Sequence, residues 1–549
     1  MPERCQRRNP FPSSVAPLSA ALLALGQAFY FWRTNVADLG PGLPIDDAYI
    51  FLRYAHNLAA GYGFSFNPGE VSFGCTSLVW PVLIAGLQNL LPATDPVALS
   101  FWLGAILFSA AAAGTACLLA ARTGRAWTAF AGGIMIASSP YLLMNAISGM
   151  ETPLTLFLLI ILAALVTAEA PRPLVLGLLA GLMTVNRPES LYFGPVAATL
   201  WLALSVLRRR PEWKPAALLL AGWAVAALPV AFYIHAHTGS FLPTTYLGKI
   251  IAGTPDALHR PLQVRLFWSL RSLGDGGVKL AWPMKALAPA LAIGLVYQAA
   301  TAVRAARRPD GPLWPRWGWA LLAGYIFLPA VYGFSFPVYP PFGGYYVRYI
   351  APVQAVFIVV GLTGLAALAR ALAEKYLVAE NRRRLVAVAA AVAMIAFQGW
   401  LWSFQFPAAR EVFSAEVRLN TGLRREAGQW LHSHVRPGEK VMVGYTGLGA
   451  IGYFSDRYCL DVGALINPDI FPYYRGTGYN IARRQEAIIR YMTDRHAGWY
   501  VTFAYPKDKT PPLADPTTDP RFVEAARIGA PGEPNRPYDQ IRIYHFNQP

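Results

Sequence analysis

The sequence predicts a polytopic α-helical membrane protein of about 11 spans that ends in a small soluble α/β domain. Three observations predict it. Of 549 residues, 55% are hydrophobic and only 14% are charged, against about 25% charged in an ordinary soluble domain. Apolar runs near the ~20-residue length that crosses a bilayer recur through residues 1–405. After Phe406 the composition changes: 33 of the last 144 residues are charged, and the apolar runs there are too short to span. The expected division is a membrane module over 1–405, with a first outer loop at 36–96, and an outer domain over 406–549.

The N-terminus joins Arg4, Arg7 and Arg8 to an apolar run from Val15 that ends in Phe29-Tyr-Phe-Trp32. It has no clear small-residue cleavage site, so it is expected to stay as the first span, with its aromatic residues at the outer interface. Ten more spans are expected near 97–120, 126–142, 152–168, 173–185, 190–207, 216–235, 286–303, 317–333, 349–369 and 385–405, each set by the ~20-residue rule. The run 76–92 is short and polar in places (Pro81, Gln88, Asn89). It suits a helix lying along the surface.

Charge fixes the orientation. The net charge is +17. Residues 1–405 carry 29 basic and 15 acidic residues (net +14), and 406–549 carry 18 and 15 (net +3). With 76–92 on the surface, 19 of the 29 basic residues fall on the side of the N-terminus, as the positive-inside rule prefers. The excess needs no nucleic acid. The N-terminus is expected in the cytoplasm and the C-terminal domain outside. In that domain Leu419 to Val435 reads as a helix, and Lys440–Tyr445 and Tyr458–Val462 as strands.

Four cysteines (Cys5, Cys75, Cys117, Cys459) show neither metal-ligand spacing nor a disulfide framework. A Cys75–Cys459 bridge requires both to face outward.

Most of the distinctive polar motifs fall at outer span ends, where ionisable groups are functional candidates when they face a cavity. The first is Asp46-Asp47, at the start of a helix. A helix from Ala48 puts Arg53, His56 and Asn57 on one face and Ile50, Phe51, Tyr54, Ala55 and Leu58 on the other, the pattern of a surface-lying amphipathic helix. One aspartate can cap that helix, but capping needs only one. A carboxylate beside a membrane cavity can instead act as a general base on a hydroxyl.

Glu151, just before Thr152-Pro153, suits a first helical turn, where it can meet the helix dipole or hold a sugar hydroxyl or a metal. Arg187 and Glu189 share a tight Asn-Arg-Pro-Glu turn, where a local ion pair is the simple account. Lys249, after Leu242-Pro-Thr-Thr-Tyr246, and Arg348, in Tyr345-Tyr-Val-Arg-Tyr349, are phosphate candidates. Snorkelling to the interface is their alternative role. His235/His237 and His432/His434 have no zinc spacing, and Gly444–Gly449 lacks the register and lysine of a phosphate loop.

The segment Asp46–Trp80, with Arg53-Tyr-Ala-His-Asn-Leu, Gly61-Tyr-Gly-Phe and Thr76-Ser-Leu-Val-Trp80, resembles the first outer loop of the C-type membrane glycosyltransferases. Within them it is most similar to the terminal β-(1→2) arabinofuranosyltransferases of the mycobacterial cell wall and their bacterial relatives. Gly149–Pro153, Asn186–Glu189, Leu242–Lys249, Arg348-Tyr349, Gly449–Ser455 and Asp461–Leu465 agree. Asn186 stands where Thr or Leu is expected in that family, and Cys75 where a polar run is commoner.

The resemblance implies a transferase at the outer face of the bacterial plasma membrane. Its donor is a sugar on a polyprenyl phosphate, and its acceptor an envelope glycan or lipid. Carried over, Asp46 or Asp47 is the catalytic acidic residue, acting as general base. Arg53, His56, Glu151, Arg187, Glu189, Tyr246, Lys249, Arg348 and Tyr349 are the substrate-binding candidates. An activated lipid-linked donor removes the need for a nucleotide site. A divalent metal is compatible with carboxylates near a phosphate, but no metal ligand is assigned. A transporter or flippase of lipid-linked sugars is the rival. It is expected to place charges near the midplane, often in repeated halves.

Overall fold

The computed structural model describes residues 14–168, 172–207, 212–248, 260–281, 288–306, 318–319, 321–322, 324–335, 348–349, 351–376, 380–478, 480–504, 515–529 and 540–548. Every expected apolar run is helical where it is described. Among the described residues, four helices are long and apolar enough to cross a membrane on their own: Val15–Leu39, Pro96–Thr123, Trp213–Thr238 and Ala351–Tyr376. Shorter apolar helices include Thr152–Val166 and Pro173–Asn186. The chain is a multi-pass membrane protein.

Local chemistry sets the helix ends. Asp95 caps Pro96–Thr123 by accepting from the Val97 amide at 2.8 Å, and Gly124 ends that helix in the left-handed conformation. The expected run 126–142 is not one straight helix. It is Ala126–Ala137 followed by Pro140–Ala146, bent by 58°. Pro140 brings no amide to continue the ladder, and Ser139 caps the second piece. The run 76–92 forms Val79–Leu90, twelve residues. At about 1.5 Å per residue that is far short of a ~30 Å hydrocarbon core.

Small residues bring the helices together. Ala16, Ala20, Ala24 and Ala28 form one buried stripe along the first helix, and Gly133 meets it so closely that a Cβ there would lie 2.9 Å from Ala20 Cβ. Between Pro173–Asn186 and Trp213–Thr238 the backbones nearly touch: a Cβ on Gly177 would lie 2.1 Å from Leu219 O. Close approach of this kind is how membrane helices gain packing where lipid supplies no hydrophobic contrast. The long helix Leu262–Ala281, which is amphipathic, was not expected. Its Arg265 Nε donates to Phe334 O at 3.0 Å.

The last apolar helix does not stop near 405. It runs from Glu380 to Leu419 with Pro407 inside, then continues through a π-helical turn, Asn420–Arg424, into Arg425–His434. Beyond it stands a five-stranded sheet in the order β2-β1-β3-β5-β4. The strands are β1 (Lys440–Val443), β2 (Tyr458–Asp461), β3 (Ala497–Phe503), β4 (Phe522–Ile528) and β5 (Ile541–Phe546). The first three are mutually parallel, and β5 is antiparallel to both β3 and β4. The strands expected at 440–445 and 458–462 are β1 and β2.

The C-terminal sheet domain sits on the loop that follows the first helix. One apolar core joins Phe31, Tyr49 and Trp80 to Ile451, Val501 and Ile543. Asn67 pairs with the Cys459 backbone in both directions, at 2.8 and 2.9 Å. The Asp46–Ala59 helix is therefore not a surface-lying one. Arg53 and Asn57, placed on its polar face by the sequence, are buried. Arg53 binds Phe66 O and Asp456, and Asn57 donates to Ser65 O and Phe66 O. The loop and the sheet domain cover Arg53 and Asn57 on the face expected to meet water, and His56 stays exposed. Cys75 and Cys459 are both buried and free, so no bridge joins them.

Candidate functional site

The outer-end motifs converge because polar side chains stitch them together. Trp80 Nε1 donates to Gly149 O at 2.7 Å. Ser77 Oγ donates to Asn186 Oδ1, and Asn186 Nδ2 to Thr155 Oγ1, each at 2.8 Å. Gly149 adopts φ +82°, and a Cβ there would lie 2.5 Å from Leu43 Cδ1 and 2.9 Å from Ala48 Cβ. Only glycine lets this turn approach the Asp46–Ala59 helix so closely. Glu151 and Arg187 are thereby delivered to the start of that helix.

The centre is a chain of charges. Asp47 Oδ2 pairs with Arg348 Nη2 at 2.5 Å. Arg348 also donates to the Tyr349 hydroxyl at 3.3 Å. Arg187 Nη1 reaches Arg348 O at 3.4 Å and Glu151 Oε1 at 3.3 Å, while Arg187 Nε holds Glu189 Oε1 at 2.6 Å. The Tyr349 ring lies beside both guanidinium groups, at 5.4 and 5.1 Å. Arg187, Arg348 and Glu151 are all buried. Glu151 Oε2 is buried with no hydrogen-bond partner, which leaves one acceptor free in a cationic setting.

Burial opposes the charge of Arg348, but Tyr349, Asp47 and Glu151 outweigh it and raise its pKa. It stays charged. The Arg187–Glu189 contact is the local ion pair the turn suggested, but Arg187 is buried and serves a second carboxylate as well.

The two aspartates have different surroundings. Asp47 keeps 43% of its side chain exposed, whereas Asp46 keeps 18%. Asp46 accepts from the Gly449 and Ala450 amides, each at 2.9 Å. It does cap a helix, but one 403 residues away. Desolvation raises the Asp46 pKa, with Arg424 and the Ala450 amide working against it.

Arg53 and His56 are not brought into this charge chain. Arg53 is committed to Phe66 and Asp456, and His56 is exposed. Lys249 and the side chain of Tyr246 lie outside the described residues. Among the described residues no group of three or more His, Cys, Asp or Glu side chains is arranged to hold a metal ion.

Two residues near the site escaped sequence reasoning. Arg424, in the π-helical turn, lies 3.9 Å from Asp46. Nothing local in the sequence marks it. Asp461, at the end of β2, accepts from the Gly463 and Leu465 amides at 2.8 Å each. Burial pushes its pKa up to about 6; those two amides oppose the shift and the Asp46 and Asp47 charges add to it. Its loop reaches the membrane module: Leu465 O accepts from Thr244 Oγ1 at 2.5 Å, and the same hydroxyl contacts Phe73 O.

Comparisons with known proteins bear on this architecture. Residues 411–537 match a family model described as a domain of unknown function, DUF8728. No curated protein matches the sequence. Among solved structures, the chain is similar to ArnT from Cupriavidus metallidurans bound to undecaprenyl phosphate. The TM-score is 0.54 at 13% identity, over 96% of this chain and 98% of that one. The apo state of the same protein gives 0.53 at 12%, over the same shares. A likeness to the mycobacterial arabinofuranosyltransferase AftD covers 97% of this chain and 40% of that one at 15% identity, with a TM-score of 0.45, too low to argue from. On the ArnT comparison and its own helical architecture, the chain has the fold of the C-type membrane glycosyltransferases.

Proposed function

We propose that this protein transfers a sugar from a polyprenyl-phosphate donor to an envelope glycan or lipid acceptor at the outer face of the bacterial plasma membrane. The observation that carries the reading is the Asp47–Arg348 pair: a half-exposed carboxylate on a buried, permanently charged guanidinium. The fold is shared with a protein whose structure holds undecaprenyl phosphate, and the polar motifs gather at one set of span ends. Arabinofuranose is the donor sugar the sequence resemblance favours.

Asp47 is the general base. It takes the proton from the acceptor hydroxyl as that oxygen bonds to the anomeric carbon. The bond from that carbon to the donor phosphate breaks, and the electron pair leaves with the polyprenyl phosphate. Attack opposite the phosphate inverts the anomeric centre. Arg348 and Arg187 stabilise the departing phosphate, as fixed cations do for a developing anion. Donor phosphate competes with Asp47 for Arg348, so donor binding frees the carboxylate to act. Glu151 and Glu189 hold Arg187, and Tyr349 supports both guanidinium groups. On the sequence resemblance alone, Lys249 is a further phosphate ligand and Tyr246 a further substrate contact.

The test is turnover by purified protein on a panel of polyprenyl-phosphate sugars, with the released sugar identified. Wild type is expected to consume one donor class and Asp47→Asn to lose about 10²–10⁴-fold in kcat. Full activity in Asp47→Asn excludes it as the base. Movement of intact donor across vesicles without cleavage supports a flippase instead.

A further inference from the structure

Asp46 and Asp47 are neighbours in sequence but answer to different parts of the molecule. Both oxygens of Asp46 are taken by the outer domain: Oδ2 by the Gly449 amide and Oδ1 by the Ala450 amide. These are free donors in the first turn of the Leu448–Ser455 helix. The residue at that helix's own capping position is Gly447, which has no side chain to cap it. Asp46 therefore supplies, from the far end of the chain, the acceptor that an N-cap residue normally provides.

Fixed groups crowd the contact. Arg424 Nη1 lies 3.9 Å from Asp46 Oδ1. Arg424 is itself fixed, with Nε donating to Thr446 O at 2.6 Å and Nη1 to Asn420 Oδ1 at 2.7 Å. Asn420 Nδ2 donates to Leu43 O at 3.0 Å, three residues before Asp46. There is no slack in the backbone. A Cβ on Gly449 would lie 1.9 Å from Asp46 O, and one on Gly447 2.7 Å from Asp46 Oδ1. The Asp46–Ala59 helix has no side-chain cap of its own, because its capping position is Ile45. Its first turn is held from outside.

We infer that Asp46 is a positioning residue: it is the clasp through which the docked outer domain fixes the first turn of the Asp46–Ala59 helix and so sets Asp47 against Arg348. This rests on the reading of Asp47 as the base. The physical link is short. One residue of slippage in a helix turns a side chain by about 100°, which takes the Asp47 carboxylate away from Arg348. Activity then depends on a domain that holds none of the reacting groups assigned above.

The experiment uses the full-length protein in detergent or nanodiscs, with two independent readouts. The first is hydrogen exchange at the amides of 448–451 and of 47–50, which needs no substrate. Asp46→Ala and Gly449→Ala are expected to speed exchange at both segments by roughly tenfold, the scale of a lost helix cap. Asp46→Asn, which keeps one acceptor oxygen, should fall between them and wild type. Asp47→Ala should leave 448–451 unchanged.

The second readout is turnover of the polyprenyl-phosphate donor, with and without added formate. Asp46→Ala and Gly449→Ala should lose activity together and gain nothing from formate. Asp47→Ala should be inactive and partly restored by it, because formate replaces a missing base and cannot replace a clasp. Three results overturn the inference: formate rescue of Asp46→Ala, wild-type kcat in Gly449→Ala, or unchanged exchange at 47–50 in Gly449→Ala. If wild type turns over no such donor, the functional reading fails. The exchange arm then decides the clasp by itself.

Discussion

Arg187 stands between Glu151 and Glu189, and both carboxylates depend on it. Removing one partner of a buried ion pair leaves the other uncompensated, at a cost of about 3–5 kcal/mol. Arg187→Leu is therefore expected to destabilise the protein on that scale, read as thermal unfolding in detergent, whereas Glu151→Gln should cost less because the amide can still accept from Arg187. Equal losses in the two variants count against a shared cation. Asp461 carries a pH signature. Its pKa rises from 3.8 unfolded to about 6 folded. Stability from this group is thus fully present below 3.8 and is lost as pH rises through 6. Exchange in the 461–467 loop should quicken between pH 5 and pH 7 in wild type, and Asp461→Asn should flatten that dependence. A loop whose exchange, corrected for intrinsic rate, ignores pH in wild type removes the assignment.

At the scale of elements, the apolar runs were legible because a membrane span is written in consecutive residues. Pro140 broke the expected 126–142 run into two pieces, and the Ser139-Pro140 pair is a signal local enough to read. Burial of the Asp46–Ala59 helix was not legible. Its polar face looked solvent-bound because Arg53 and Asn57 are polar, yet their partners come from 65–66 and from Asp456. The division of labour between Asp46 and Asp47 was equally hidden, since it is decided by two backbone amides at 449 and 450 that no side chain advertises. The glycine contacts between Pro173–Asn186 and Trp213–Thr238 give a test at this scale. Gly177→Leu places atoms where the Leu219 carbonyl already lies, and should cost the 1–3 kcal/mol typical of overpacking, or more. Detergent thermostability unchanged from wild type means that the helices do not approach so closely.

At the scale of the whole molecule, the structure is an apolar base with an outer domain set on its first loop by a continuous core. The proposed orientation, with the N-terminus inside and the sheet domain outside, rests on the charge pattern of the sequence. A cysteine at exposed Ser433 is expected to react with a membrane-impermeant maleimide in intact cells, in a background where Cys5 and Cys117 are changed to serine. Labelling only after permeabilisation reverses the topology. What sequence could not supply at this scale was the partner of the first loop, because docking is decided by surfaces that form only once the sheet has folded.

The Asp46 clasp also has a consequence in time. Its two halves lie 403 residues apart, so a chain made at about 5–20 residues per second inserts the first loop roughly 20–80 s before the partner helix exists. Through that interval Asp46 lacks the Gly449 and Ala450 amides, and the Asp46–Ala59 helix lacks its brace. The brace forms only after the last quarter of the chain has been made and folded, so completion of synthesis, rather than arrival of the first loop, fixes the start of this helix.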